Sequence, residues 1–187
     1  MASDLPLIVS RDLPAPGATG AMARAVGALL RAGDVLLLSG PMGAGKTTFT
    51  RELARALGAD AGLVSSPTYV MINRYPLRAD AEGAPNPRGP LLTHVDAYRL
   101  TSDDDLDVLG WDRVIDGASG RAAEGVVVIE WPERIAPALG GVEAARLTLS
   151  PTGATSRGAT LELPASWRGR PEAVLLAERE PTRCRTT

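Results

Sequence analysis

At 187 residues, the chain is long enough to bury a core without disulfide or metal staples. Its 20 Lys plus Arg balance 22 Asp plus Glu, a formal net charge of -2, so no global field draws it to DNA, RNA or anionic lipid. The lone cysteine, Cys184, excludes an internal disulfide or Cys-based zinc site, and no run of about 18 apolar residues or signal-like leader is visible, which together predict a cytoplasmic protein with no membrane partner.

Residues 5–10 read as a first strand, with Pro16 and Gly17 as its break. The stripe Met22, Val26, Leu29 and Leu30 predicts a helix over 18–31. An unbroken apolar run over 35–38 predicts a strand buried on both faces of a parallel sheet. A glycine-rich loop follows at once, then a helix over 46–57 closed by Gly58. Strands are expected over 69–75 and 91–98, separated by a Pro/Gly-rich loop over 78–90. Acidic residues favour a short helix over 103–109. Val126, Val127, Val128 and Ile129 make 125–130 the strongest strand in the chain, and Pro132 starts a helical turn. A hairpin is expected over 145–150 and 159–163, then a terminal helix over 171–180 and a disordered tail over 181–187. This alternation predicts an α/β fold: a P-loop NTPase-like, mostly parallel sheet with helices on both faces and a late antiparallel hairpin. Residues 1–165 form the expected single domain, with 78–90 as a loop insertion; 166–187 hold the terminal helix and tail.

Gly40-Pro41-Met42-Gly43-Ala44-Gly45-Lys46-Thr47 matches G-x-x-x-x-G-K-[ST] in full, between a predicted strand and a predicted helix. Glycines let the backbone curl so that amide groups point inward, and the helix N-terminus adds partial positive charge beneath bound phosphates. Lys46 can reach the β and γ phosphates of ATP, Thr47 offers a hydroxyl to Mg²⁺, and Thr48 can hydrogen-bond a phosphate oxygen.

Such a site needs a carboxylate at the end of a neighbouring strand. Two strands end in one: 91–96 in Asp96 and 126–130 in Glu130. His94, the single histidine, either assists at the phosphate or is a packed, hydrogen-bonded residue. Thr68, in Ser66-Pro67-Thr68-Tyr69, is placed where a switch loop would touch the γ-phosphate or its metal. Trp131 either stacks on a base or partner or covers the core, and Arg51 and Arg99 are candidate counter-charges.

In order, these pieces resemble the TsaE family, the bacterial ATPases of tRNA threonylcarbamoyladenosine biosynthesis. The resemblance is carried by Gly43-Ala44-Gly45-Lys46-Thr47-Thr48-Phe49, Ser66-Pro67-Thr68-Tyr69, His94-Val95-Asp96-Ala97-Tyr98-Arg99-Leu100 and Ile129-Glu130-Trp131-Pro132-Glu133-Arg134. P-loops are widespread; His-x-Asp-x-Tyr-Arg-Leu together with Glu-Trp-Pro is far more specific. The resemblance implies a small ATPase that works with the TsaB and TsaD proteins and meets tRNA only indirectly, through that complex. TsaD transfers a threonylcarbamoyl group to the adenosine beside the anticodon, and ATP hydrolysis resets the complex between cycles. Carried over by position, Lys46 and Thr47 bind phosphate and Mg²⁺, Asp96 and Glu130 serve the metal or the attacking water, and Thr19 lies near the nucleotide base. The chain departs from the family pattern in a longer 78–90 loop, a longer tail after Leu163, and Ala97 in place of a bulkier apolar residue.

Three other readings share parts of this evidence. A small-molecule kinase has the same cradle but usually an Arg-bearing lid, and 78–90 lacks a helical pattern. A GTPase requires an Asn-Lys-x-Asp guanine reader, absent from the sequence. A module that binds ATP with little turnover is compatible with it, because no general base or arginine finger stands out. Hydrolysis is therefore expected to be slow alone and stimulated by partners.

Overall fold

A computed structural model describes residues 5–64, 72–79, 86–100, 103–117 and 119–173. The elements run β1 (Leu7–Leu13), α1 (Pro16–Leu29), β2 (Val35–Ser39), α2 (Lys46–Leu57), β3 (Ile72–Pro76), β4 (Leu91–Asp96), α3 (Asp103–Val108), β5 (Ile115–Asp116), β6 (Arg121–Ala122), β7 (Val126–Glu130), β8 (Ala144–Pro151) and β9 (Arg157–Leu163). Short 3-10 helices cover Ala61–Leu63, Trp111–Arg113, Pro132–Leu139 and Ala165–Gly169.

The main sheet has the order β1-β9-β8-β2-β7-β4-β3. Its middle, β8-β2-β7-β4, is parallel throughout. Both flanks are antiparallel: β3 on β4 at one side, and the β8–β9 hairpin with β1 at the other. The architecture is thus an α/β fold with a mixed central sheet whose parallel portion lies at its centre.

The buried middle follows from the sequence of β2. Because successive side chains alternate between faces, an all-apolar run must find cover on both sides. Leu36 and Leu38 pack with Met22, Val26 and Leu29 of α1 and Phe49, Leu53 and Leu57 of α2. Val35 and Leu37 pack on the opposite face with Leu106 of α3, Val114 after it, and Ile135 of the 3-10 helix that follows β7. That second face carries short helical pieces instead of long ones.

Element ends differ from the sequence expectations for local reasons. Pro16 opens α1 instead of merely breaking a strand, since a proline at the first helical position loses no intrahelical hydrogen bond. The fourth strand stops at Asp96, where the side chain accepts a hydrogen bond from the Tyr98 amide and turns the chain. Gly58 closes α2 in the left-handed conformation, φ 92°, with its amide on the last carbonyls, as expected.

Beyond β9 the chain returns to the core. Trp167 is buried, and the Arg170 guanidinium lies 3.8 Å from its ring centroid. Arg170 also binds both oxygens of Asp34, which is only 2% exposed and accepts the Arg31 amide at 2.7 Å. Removing one side of a buried, hydrogen-bonded ion pair leaves the other charge poorly solvated. Asp34→Ala is therefore expected to lower the unfolding free energy by roughly 3 kcal/mol in urea titrations. Exposed Asp12→Ala should change it by less than about 0.5 kcal/mol.

Candidate functional site

Adjacent parallel strands bring the site together. Leu38 of β2 is in register with Glu130 of β7, and Glu130 is in register with Asp96 of β4. The point where the glycine-rich loop leaves β2 therefore stands level with both carboxylates. In open α/β sheets, ligands occupy the crevice beyond these carboxyl ends.

The loop curls as its glycines allow. Gly43 and Gly45 have φ of 76° and 98°, in the left-handed region that side chains disfavour. Gly40 has φ 141°, and a Cβ there would stand 2.3 Å from the Leu149 carbonyl, so β8 presses directly on the loop's first residue. No heavy atom lies within 4 Å of a Cβ built on Gly43, which leaves that side open. Gly45 then hands the chain to α2, whose first turn has no side-chain cap, and Gly45, Lys46, Thr47 and Thr48 line the cleft.

Glu130 is 1% exposed and is met by three side chains. Thr47 Oγ1 donates to Oε2 at 3.3 Å, and Thr50 Oγ1 reaches Oε1 at 3.1 Å. Thr47 and Thr50 are three apart on α2, hence on one helix face. His94 Nε2 lies 2.9 Å from Oε1; beside a carboxylate oxygen this nitrogen carries the proton and donates. The His94 ring is fully buried, and its Nδ1 has no hydrogen-bond partner among the described residues. The histidine is thus a packed, hydrogen-bonded residue that orients Glu130.

Lys46 Nζ donates to the carbonyls of Gly40 at 2.7 Å and Pro41 at 3.0 Å, and sits 3.7 Å from the Trp131 ring centroid. Burial pushes its pKa down, against the charges of Glu130, Glu133 and Asp96 that favour the ammonium form. Burial pushes the Asp96 carboxyl up; the Tyr98 amide opposes this and the Glu130 charge adds to it. Trp131 has φ 59°, the one positive value outside glycine among the described residues. That conformation costs roughly 1–2 kcal/mol, and it persists with the ring held against the Lys46 ammonium and against Tyr98, 4.9 Å away.

The loop, the start of α2 and the ends of β4 and β7 border a cleft of about 400 Å³. Of the residues singled out in the sequence, Gly43, Gly45, Lys46, Thr47, Thr48, Asp96, Glu130 and Trp131 line it. Ala44 is in the loop but buried beneath it. Thr19 is buried on α1 and is not part of the lining, while Thr68 lies outside the described residues. Arg51 turns away, its Nε donating to the Val64 carbonyl at 3.0 Å. Tyr98 and Arg157 line the cleft without having been read as site residues. Arg157 comes from β9, 113 residues beyond the loop carbonyl it binds, and nothing in its neighbourhood signals the contact. A larger concavity of about 600 Å³, between β3 and the α3 region, lies away from the glycine loop and both strand-end acids.

The oxygen donors suit a hard cation. Two carboxylates and a hydroxyl are the ligand types Mg²⁺ takes from proteins when phosphates supply the rest. By donating its proton to Glu130, Thr47 keeps its oxygen lone pairs for another partner. The Glu130 donor set can be tested alone: Thr50→Val keeps the side-chain shape but removes a donor to a buried carboxylate. The Thr50 hydroxyl is shared with the Lys46 carbonyl, also at 3.1 Å, and its loss is expected to cost about 1–3 kcal/mol in urea unfolding.

Residues 13–159 match the family model described as threonylcarbamoyl adenosine biosynthesis protein TsaE. The chain is similar to the tRNA threonylcarbamoyladenosine biosynthesis protein TsaE of Streptomyces coelicolor: 42% identity over 113 residues, 60% of this chain and 66% of that protein. Its counterpart in Mycobacterium leprae is 41% identical over 122 residues, 65% of this chain and 70% of the relative. The Bacillus subtilis protein of that name is 37% identical over 120 residues, 64% of each chain. The chain thus aligns with less than two thirds of the Streptomyces protein's length. Among solved structures, Bacillus subtilis YdiB matches with a TM-score of 0.58 and 25% identity, over 94% of this chain and 95% of that one.

Proposed function

Since the chain belongs to the TsaE family, we propose that it is a Mg-dependent P-loop ATPase serving the threonylcarbamoyladenosine modification of tRNA. The observation that carries this reading is the meeting, at one level of the sheet, of the glycine loop, Glu130 and Asp96. A bare phosphate-binding loop would not require two acids at adjacent strand ends.

In this reading the amides of Gly43, Ala44, Gly45, Lys46, Thr47 and Thr48 hold the phosphates. Lys46 exchanges the carbonyls of Gly40 and Pro41 for phosphate oxygens, a small displacement from its present position. Thr47, Asp96 and Glu130 hold the metal, directly or through water. A magnesium ion there supplies charge neutralisation for the transferred phosphoryl group. Trp131 closes one wall of the cleft against Lys46. No helix among the described residues is long and apolar enough to cross a membrane.

The resetting of a TsaB–TsaD complex belongs to the same proposal; it rests on the family resemblance, and the relatives' names support only the biosynthesis of threonylcarbamoyladenosine in tRNA. The cleft is open at Gly43 and Met42, which is 69% exposed, so a partner has access to the loop side. Turnover by the isolated chain is slow and rises when both partners are present.

Lys46→Ala is expected to lower ATP hydrolysis at least about 100-fold, the usual loss when one preorganised charge is removed. The measurement is phosphate release by a variant whose circular dichroism matches the parent. Normal turnover in a folded Lys46→Ala protein would remove the cradle from the reaction. A flat response to titration with TsaB plus TsaD would detach the ATPase from that complex.

A further inference from the structure

The glycine loop is held at the edge of the cleft by a side chain that belongs to neither the loop nor the acids. Arg157, first residue of β9, donates from Nε to the Ala44 carbonyl at 2.9 Å and from Nη2 to the Gly43 carbonyl at 3.2 Å. Its Nη1 donates to the carbonyls of Gly153 at 3.2 Å and Ser156 at 2.8 Å, within the β8–β9 connection. One planar guanidinium therefore ties two consecutive loop carbonyls to the tip of the hairpin. We propose that Arg157 is a positioning residue that fixes the two peptides following Gly43 and Ala44 in the phosphate loop before any ligand arrives.

The argument is one of peptide geometry. In a trans peptide, the carbonyl and the following amide point in opposite directions. Drawing the Ala44 carbonyl out toward Arg157 turns the Gly45 amide the other way. Holding the Gly43 carbonyl likewise turns the Ala44 amide away from Arg157, where it donates to the Pro41 carbonyl at 3.1 Å and closes a turn within the loop. Glycines on both sides of Ala44 make these peptides free to flip without such a tie. Lys46 holds the carbonyls of Gly40 and Pro41, so the two cations share the loop between them. Lys46 is expected to leave when phosphate binds; Arg157, tied also to the carbonyls of Gly153 and Ser156, keeps its half of the loop in place. A lysine cannot replace it, because a single ammonium lacks the fork that reaches loop and hairpin together.

This inference rests on the nucleotide reading for its binding arm alone. The test compares the full-length protein with Arg157→Ala and Arg157→Lys by amide hydrogen exchange over 42–46 without ligand. It also compares the Mg²⁺-dependent affinities for ATP and for inorganic tripolyphosphate. Arg157→Ala should exchange faster over 42–46 and should bind ATP and tripolyphosphate more weakly by the same factor, about tenfold, which corresponds to about 1.4 kcal/mol. Its KM for ATP should rise more than its kcat falls, and Arg157→Lys should restore less than half of the lost affinity on a logarithmic scale. Unchanged exchange would overturn the proposal. So would a loss for ATP but not for tripolyphosphate, which would make Arg157 a contact for base or sugar instead. If the parent protein binds neither ligand, the nucleotide reading fails, and the exchange comparison still decides whether Arg157 holds the loop. Should Arg157→Ala not fold, Arg157→Lys carries the same readouts.

Discussion

A carboxylate almost wholly withdrawn from water needs protein donors in its place, and Glu130 of β7 finds them on two neighbouring elements. At 1% exposure it is bonded by Thr47 and Thr50 of α2 and by His94 of β4. An unpaired buried charge would cost several kcal/mol, so the site tolerates little relative movement of β4, β7 and α2. That constraint fixes where α2 begins against the sheet, and hence where the glycine loop must turn. The place of Lys46 at the start of α2 follows from a helix pinned to a buried acid, while the β4–β7 register sets the level of Asp96.

The same arrangement explains what was legible from sequence. Apolar runs of four residues in β2 and β7 announce strands with cover on both faces, and the acid that ends β7 stands out against them. The glycine motif specifies its own backbone, so its position between strand and helix could be read directly. The hairpin of β8 and β9 showed in the alternation of Ala145, Leu147 and Leu149. Boundaries were harder. Pro16 can end a strand or begin a helix, and local sequence does not choose between them. The mixed flanks of the sheet were only partly visible, since strand direction depends on long-range pairing that a residue pattern does not encode.

Side-chain roles that depend on distant partners were the least legible. His94 was identifiable as a candidate, but its burial against Glu130 needed the β4–β7 register. Arg157 carried no signal at all: it sits among small and polar residues at the start of a strand, and its acceptors are backbone carbonyls. Carbonyl acceptors leave no compositional trace, because every residue has one. The Arg170 contact with Asp34 was hidden for a similar reason, because two single charges far apart in sequence give no pattern.

The central claim is geometric: the amides of the glycine loop take the terminal phosphates of a nucleotide while Asp96 and Glu130 face its metal. The most direct measurement is a crystal structure with Mg²⁺ and a non-hydrolysable ATP analogue. The account predicts the β and γ phosphates ringed by the amides of Gly43 through Thr48, Lys46 moved from the Gly40 and Pro41 carbonyls onto phosphate, and the metal beside Thr47. An analogue bound elsewhere on the protein, or loop amides directed away from the phosphates, would contradict it.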